Sequence, residues 1–233
     1  MRFTKYVIPA MAVIASTAVN ASANETEWTG PYVGAQAGYT SLKPKYSEPL
    51  PLNLQTEQRQ FIAEVNPNTN GISGGVLAGY NVQANGLILG IEADFALTSA
   101  DTTVDSSPEP DYFNNYSAFD LKWNGHVRAR IGYPVGKTLV YAAGGLALAR
   151  LKVDDVELLG DVPGEWGEQS KTLTGFSVGG GVEHAITNNL TIRAEYLYDN
   201  YAGKTGIIDG PDPYDFTIDP SAHNVRAAVS YRF

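Results

Sequence analysis

The sequence predicts an all-β chain, an eight-stranded antiparallel transmembrane β-barrel with short periplasmic turns and long extracellular loops. Three observations predict it. Apolar and polar residues alternate at period two in eight separate stretches, and a strand places successive side chains on opposite faces. Each stretch is near the length a tilted strand needs to cross hydrocarbon, about 9–11 residues. The connections alternate between a few residues and long segments rich in Asp, Pro, Asn and Ser, the membrane-barrel pattern with the short side periplasmic.

The first stretch runs from about Pro31 to Leu42, with Val33, Ala35, Ala37 and Tyr39 on one face. The second, Ile72 to Gln83, sets Val76, Ala78, Tyr80 and Val82 against Ser73, Gly75, Gly79 and Asn81. Ala84-Asn85-Gly86 follows, and Asn-Gly is the strongest short-range hairpin signal. The third, Leu87 to Leu97, is the cleanest: Leu87, Leu89, Ile91, Ala93 and Phe95 oppose Gly90, Glu92, Asp94 and Ala96. In the fourth, Phe119 to Tyr133, Leu121, Trp123, Val127, Ala129 and Ile131 oppose Lys122, Asn124, His126, Arg128 and Arg130. The fifth, Leu139 to Val153, carries Gly and Ala on both faces, so its phase is poorly marked. The sixth, Thr172 to His184, sets Phe176, Val178 and Val182 against Ser177, Gly179, Gly181 and Glu183. Thr187-Asn188-Asn189 turns into the seventh, Leu190 to Asp199, where Ile192, Ala194, Tyr196 and Tyr198 oppose Arg193, Glu195 and Asp199. The eighth ends the chain, with Val225, Ala227, Val229, Tyr231 and Phe233 against Asn224, Arg226, Ser230 and Arg232.

Hydrocarbon tolerates strands only in a closed sheet, so apolar faces look out to lipid and charges look in. Two aromatic girdles are then expected at the interfaces. Tyr80, Tyr133, Tyr141, Tyr231 and Phe233 fall at the periplasmic ends; Tyr39, Phe95, Trp123, Phe176, Tyr196 and Tyr198 fall at the others.

The 233 residues include 24 glycines, 14 tyrosines and no cysteine, with a formal charge of −9. A disulfide framework is excluded. The acidity argues against a nucleic-acid partner, which needs clustered Lys and Arg. Arg2 and Lys5, the apolar run Val7 to Val19 and Ala21-Ser22-Ala23 read as a signal peptide over residues 1–23. Cleavage near Ala23 leaves a single barrel domain over residues 24–233, delivered to the outer membrane of a Gram-negative cell.

Six motifs stand out: Trp28-Thr29-Gly30-Pro31-Tyr32-Val33-Gly34, Gly74-Gly75-Val76-Leu77-Ala78-Gly79-Tyr80-Asn81 and Arg128-Ala129-Arg130-Ile131-Gly132-Tyr133, then Tyr141-Ala142-Ala143-Gly144-Gly145-Leu146-Ala147, Gly179-Gly180-Gly181-Val182-Glu183 and Val229-Ser230-Tyr231-Arg232-Phe233. By these the chain resembles the small porin-family outer-membrane β-barrel proteins, a group that includes surface antigens and haemin-binding proteins. The resemblance implies the fold across the whole mature chain and says little of activity, since members differ mainly in their loops. Val229, Tyr231 and Phe233 resemble the terminal signal read by outer-membrane assembly machinery. No cofactor is expected; haem is implied by this resemblance alone, with no residue assigned to it.

The inward charges form the most informative polar set. Glu92, Asp94, Glu183 and Glu195 can meet Lys122, Arg128, Arg130, Arg193, Arg226 and Arg232 inside the barrel. Eight strands leave an interior just wide enough for its own side chains, and charges held there must pair. A structural plug is therefore favoured over a gated polar path. The three histidines, His126, His184 and His223, share no metal-ligand spacing. No Ser–His neighbours suggest a lipid hydrolase, so a non-enzymatic role is expected. The glycine clusters lack the Gly-Lys-Ser/Thr of a phosphate loop. Of the long segments, the second holds Asp101, Asp105, Glu109 and Asp111, and the third Asp154, Asp155, Glu157, Asp161, Glu165 and Glu168. Asp209, Asp212, Asp215 and Asp219 mark the fourth. They read either as a solvated surface or as a cation or partner site, with Trp166 among the acids of the third. The expected partners are outer-membrane lipids, lipopolysaccharide, the assembly machinery and a surface ligand held by the loops.

Overall fold

The computed structural model describes residues 26–47, 69–105, 113–159, 162–208 and 214–233. The signal peptide read over residues 1–23 lies outside these, as do Glu109, Asp111, Asp161, Asp209 and Asp212. The described strands are β1 (Gly30–Ser47), β2 (Thr69–Ala84), β3 (Leu87–Asp105), β4 (Phe113–Val135) and β5 (Thr138–Leu159). They continue with β6 (Val162–Ala185), β7 (Leu190–Tyr201), β8 (Lys204–Ile208) and β9 (Tyr214–Arg232).

Each strand from β1 to β6 pairs antiparallel with the next, β7 pairs with β9, and β9 returns to β1. That last seam, running from Tyr32↔Arg232 to Ser47↔Thr217, closes an eight-stranded barrel. Closure removes the unpaired edges that hydrocarbon would not tolerate. β8 continues the line of β7: the β7 pairing with β9 ends at Asn200↔Ser221, and β8 resumes it at Lys204↔Ile218. At the Asn85-Gly86 turn both residues have positive φ, 52° and 77°, as the two-residue hairpin turn requires.

The burial pattern is inside out for a water-soluble protein. On the outer face Val76, Ile91, Leu97 and Leu146 are all more than 60% exposed, while Glu92, Arg128 and Arg130 inside are 4% exposed or less. A soluble two-sheet sandwich would bury the first set and solvate the second. Tyr39, Phe95, Phe176 and Tyr196 ring one end of the outer face, and Tyr80, Tyr133, Tyr231 and Phe233 the other.

Three features differ from the sequence reading. Lys122 occupies a bulge where the β4–β5 register slips between Leu121 and Trp123. The extra residue reverses the phase of the strand. Leu121 therefore turns inward and is buried, and Lys122 leaves the lumen to pair with Asp120 on the outside. Tyr141, expected in the periplasmic girdle, is 5% exposed and points into the lumen. The alternation of Gly and Ala around it carries no phase information.

The third difference concerns the third long segment. It is mostly strand: β5 runs on to Leu159 and β6 restarts at Val162, with Asp154↔Glu168 and Val156↔Trp166 in register. At about 3.3 Å per residue, residues 153–159 add roughly 20 Å of paired strand beyond Lys152. Asp154-Asp155 and Leu158-Leu159 set like residues side by side, so this extension leaves no period-two trace.

Candidate functional site

The polar lumen is assembled by register. Glu92 on β3 faces Arg128 on β4, Glu183 on β6 faces Arg193 on β7, and Glu195 on β7 faces Arg226 on β9. Neighbouring strands thus offer opposite charges at the same height, and the narrow barrel brings the far wall within reach.

Four arginines each bridge at least two carboxylates. Arg128 donates to Glu92 at 2.7 Å, Asp94 at 2.9 Å and Glu195 at 2.9 Å. Arg130 reaches Glu183 at 2.8 Å and Glu92 at 3.3 Å. Arg193 reaches Glu92 at 2.6 Å and Glu183 at 3.1 Å. Arg226 joins Asp94 at 2.9 Å to Glu195 at 2.5 Å. Tyr32 donates to Glu92 at 2.8 Å and Tyr141 to Glu195 at 2.8 Å. The Arg130 guanidinium lies 4.1 Å from the Tyr141 ring centre, a cation–π contact in a dry setting. Gly79 makes room for Tyr32, since a Cβ there would stand 2.3 Å from the phenol oxygen.

Above this layer His126 lies between two carboxylates, its Nδ1 2.8 Å from Asp94 and its Nε2 3.1 Å from Asp199. All three side chains are fully buried. A neutral imidazole has one N–H and the imidazolium two, so both contacts are donated only by the charged ring. With His126 charged, four arginines and one imidazolium match the five carboxylates of Glu92, Asp94, Glu183, Glu195 and Asp199. Asn224 donates to Asp199 at 2.7 Å and Thr40 to Asn224 at 2.8 Å, extending the network across three strands.

Apolar layers cover both ends of the cluster. Trp28, Ile88, Leu139 and Ala185 pack at the periplasmic mouth, where the segment before β1 is tied in by Trp28 N–H to Gln83 at 3.2 Å. Leu42, Phe119, Leu121, Leu151, Leu173 and Tyr201 pack at the extracellular side.

Of the ten residues expected in the network, Glu92, Asp94, Arg128, Arg130, Glu183, Arg193, Glu195 and Arg226 come together. Lys122 stands outside, as described. Arg232 points inward but makes no ion pair among the described residues; it donates to the Asn188 carbonyl at 2.6 Å and lies over Trp28 at 5.1 Å. Alternation puts His126, Asp199 and Tyr32 on the inner face; Asp94 meets His126 across the β3–β4 register and Tyr32 reaches Glu92 over Gly79, whereas Asp199 comes to His126 from β7 only in the folded barrel. Val229, Tyr231 and Phe233 all face outward, Phe233 at 70% exposure. Among the described residues no cluster of three or more His, Asp or Glu forms a metal site. His184 faces Thr138 at 2.9 Å on the outer face, and no carboxylate among the described residues is bonded to it.

Comparison with known proteins agrees with this architecture. The chain matches the family model of the outer membrane protein beta-barrel domain over residues 10–233. It is 33% identical over 213 residues to the 31 kDa outer-membrane immunogenic protein of Brucella melitensis, covering 88% of this chain and 84% of that one. It is 35% identical over 166 residues to the 22 kDa outer membrane protein of Rhizobium leguminosarum, covering 71% and 68%. Among solved structures, the outer membrane protein OprG of Pseudomonas aeruginosa superposes with a TM-score of 0.52 at 10% identity, over 88% of this chain and 97% of that one; this likeness shows the fold alone. With its closed sheet, apolar exterior and ionic interior, the chain belongs to the outer-membrane β-barrel protein family and is an integral protein of the Gram-negative outer membrane.

Proposed function

We propose that the protein is a non-conducting, non-enzymatic barrel that stabilises the outer membrane and presents its extended strands as a surface for interaction. One observation carries this reading: the lumen holds a charge-balanced ion cluster between two apolar layers, with Arg128, Asp94 and His126 buried at its centre. A hydrated path would need polar, accessible walls from end to end, and a narrow porin is the weaker reading for that reason. The immunogenic naming of the Brucella relative supports exposure at the cell surface.

The fold does not decide against catalysis, since the outer membrane protease OmpT superposes at a TM-score of 0.51. The non-enzymatic reading rests instead on the histidines. His126 is enclosed, and among the described residues His184 and His223 each meet a hydroxyl with no carboxylate bonded to orient them. Recognition by the assembly machinery is supported by the outward row Val229, Tyr231 and Phe233.

A second reading, haemin capture, is favoured by Tyr196 and His223 at the extracellular end, where the phenol lies 2.7 Å from Nδ1. A single axial ligand suffices for haem. Two measurements test the pair of readings. Antibodies raised against the folded protein should bind intact cells and lose most of that binding when residues 154–168 are deleted. Unchanged binding would remove the surface role. A haemin titration with a Soret shift that His223→Ala abolishes would replace the first reading with the second.

A further inference from the structure

The outer face carries a groove of about 640 Å³ that starts at the periplasmic rim between β5 and β6 and ends on β1. Its floor is three alanines in register, Ala37, Ala227 and Ala194. Val229 and Ile192 stand along one side of that row, and the exposed Tyr39, Val225 and Tyr196 along the other. The groove follows the tilt of the strands. Thr138 pairs with His184, His184 with Ile192, Ile192 with Val229, and Val229 with Ala35. Thr138 opens β5, Ile192 is the third residue of β7 and Ala35 the sixth of β1, so in a tilted barrel this row climbs from the rim into the bilayer. Its four steps between strands add up to roughly 19 Å, a length that one fatty acyl chain can span.

The rim end of the groove is polar. The Thr138 hydroxyl lies 2.9 Å from His184 Nδ1. With the hydroxyl donating to Nδ1, the ring carries its proton on Nε2, which bonds to nothing else among the described residues. Lys137 is exposed in the two-residue turn before β5, and its carbonyl accepts the Ala185 N–H at 2.8 Å, which holds the turn beside His184. Residues 133–139 and 184–191 around this end are all described and contain no Asp or Glu. The adjacent Glu183 faces the lumen, bonded to Arg130, Arg193 and Thr191. The terminal carboxylate belongs to the β9–β1 seam, where Phe233 N–H donates to Pro31. A lysine and an N–H donor without a counter-anion, at the foot of a groove that enters hydrocarbon, match a phosphodiester carrying acyl chains. Two convex barrels touch along a line, whereas this groove crosses five strands obliquely, a path that a slender flexible chain follows.

We propose that the groove holds one glycerophospholipid of the inner leaflet, its phosphate at Lys137 and His184 and an acyl chain along Ala194, Ala227 and Ala37. The site rests on the outer-membrane location and is independent of the sealed lumen.

The test uses the refolded full barrel in detergent micelles. Native mass spectrometry measures retention of phosphatidylglycerol, of diacylglycerol with the same chains, and of free glycerol phosphate. Wild-type protein should retain phosphatidylglycerol about tenfold better than diacylglycerol and should not retain glycerol phosphate. K137Q/H184Q should lose that preference, each single variant lowering it about threefold. A194L/A227L, which fills the floor, should retain neither lipid, whereas A93L, outward on β3 across the barrel, should behave as wild type. Folding of each variant is read separately from its heat-dependent gel mobility; should a double variant not fold, K137Q, H184Q and A194L alone decide. Equal retention by wild type and A194L/A227L, an equal loss with A93L, or a lipid-free dimer that A194L/A227L abolishes would overturn the proposal, the last assigning the groove to a second copy of the chain.

Discussion

Replacing Arg128 with Met removes the one guanidinium that touches three carboxylates, Glu92, Asp94 and Glu195. Its side chain is 1% exposed, so water cannot take its place at low cost. Removing one partner of a buried ion pair costs about 3–5 kcal/mol. Here Arg130 and Arg193 still hold Glu92, and Arg226 still holds Asp94 and Glu195. No carboxylate is orphaned, which places Arg128→Met near the lower end, about 3 kcal/mol. Lys122→Met is the internal control, because its pair with Asp120 is half exposed and exposed pairs contribute about 0–1 kcal/mol. The assay is reversible urea unfolding from phospholipid vesicles, followed by tryptophan fluorescence and gel mobility. Equal midpoints for the two variants, or a more stable Arg128→Met protein, would refute the reasoning that the cluster is a dry, mutually dependent unit.

Three further outcomes are expected. His126→Phe removes the ring that bonds both Asp94 and Asp199, and it should destabilise the barrel by about 3–5 kcal/mol in the same unfolding assay, whereas a neutral change would show that the ring does not act as a shared cation. Gly79→Val should slow or block folding, because even a Cβ there meets the Tyr32 phenol and the Ile91 carbonyl, the latter at 2.7 Å; pairing it with Tyr32→Ala should restore part of the yield in a gel-shift folding assay. Phe233→Ser removes an outward ring that packs edge-on against Tyr231 at 5.2 Å, and it should lower the amount of protein reaching the outer membrane in cells while leaving refolding into vesicles nearly unchanged; an equal loss in both would make the residue structural only.

The strand count, the short turns and the inner face of β3, β7 and β9 were legible because apolar residues facing lipid and charges facing the lumen impose strict alternation. The reading failed where that pressure relaxes. At Lys122 a bulge inserts one residue, and nothing in the residue types marks the slip. Around Tyr141 small side chains occupy both faces, so one aromatic was assigned to the wrong one. Beyond Lys152 the doublets Asp154-Asp155 and Leu158-Leu159 break the alternation, and paired strand read as loop. The carboxylates and arginines were legible as a set, but not their pairing. Glu92 with Arg128 follows from adjacent register, whereas Tyr141 reaches Glu195 over Gly181 on the strand between them, and His126 with Asp199 reaches from β4 to β7.

Single-channel recording in planar lipid bilayers tests the central claim most directly, since an ion cluster capped by two apolar layers leaves no continuous aqueous path. The refolded wild-type barrel should insert without stable conductance steps, and Arg128→Ala combined with Trp28→Ala should begin to show them. Regular, long-lived steps from the wild-type protein would contradict the claim.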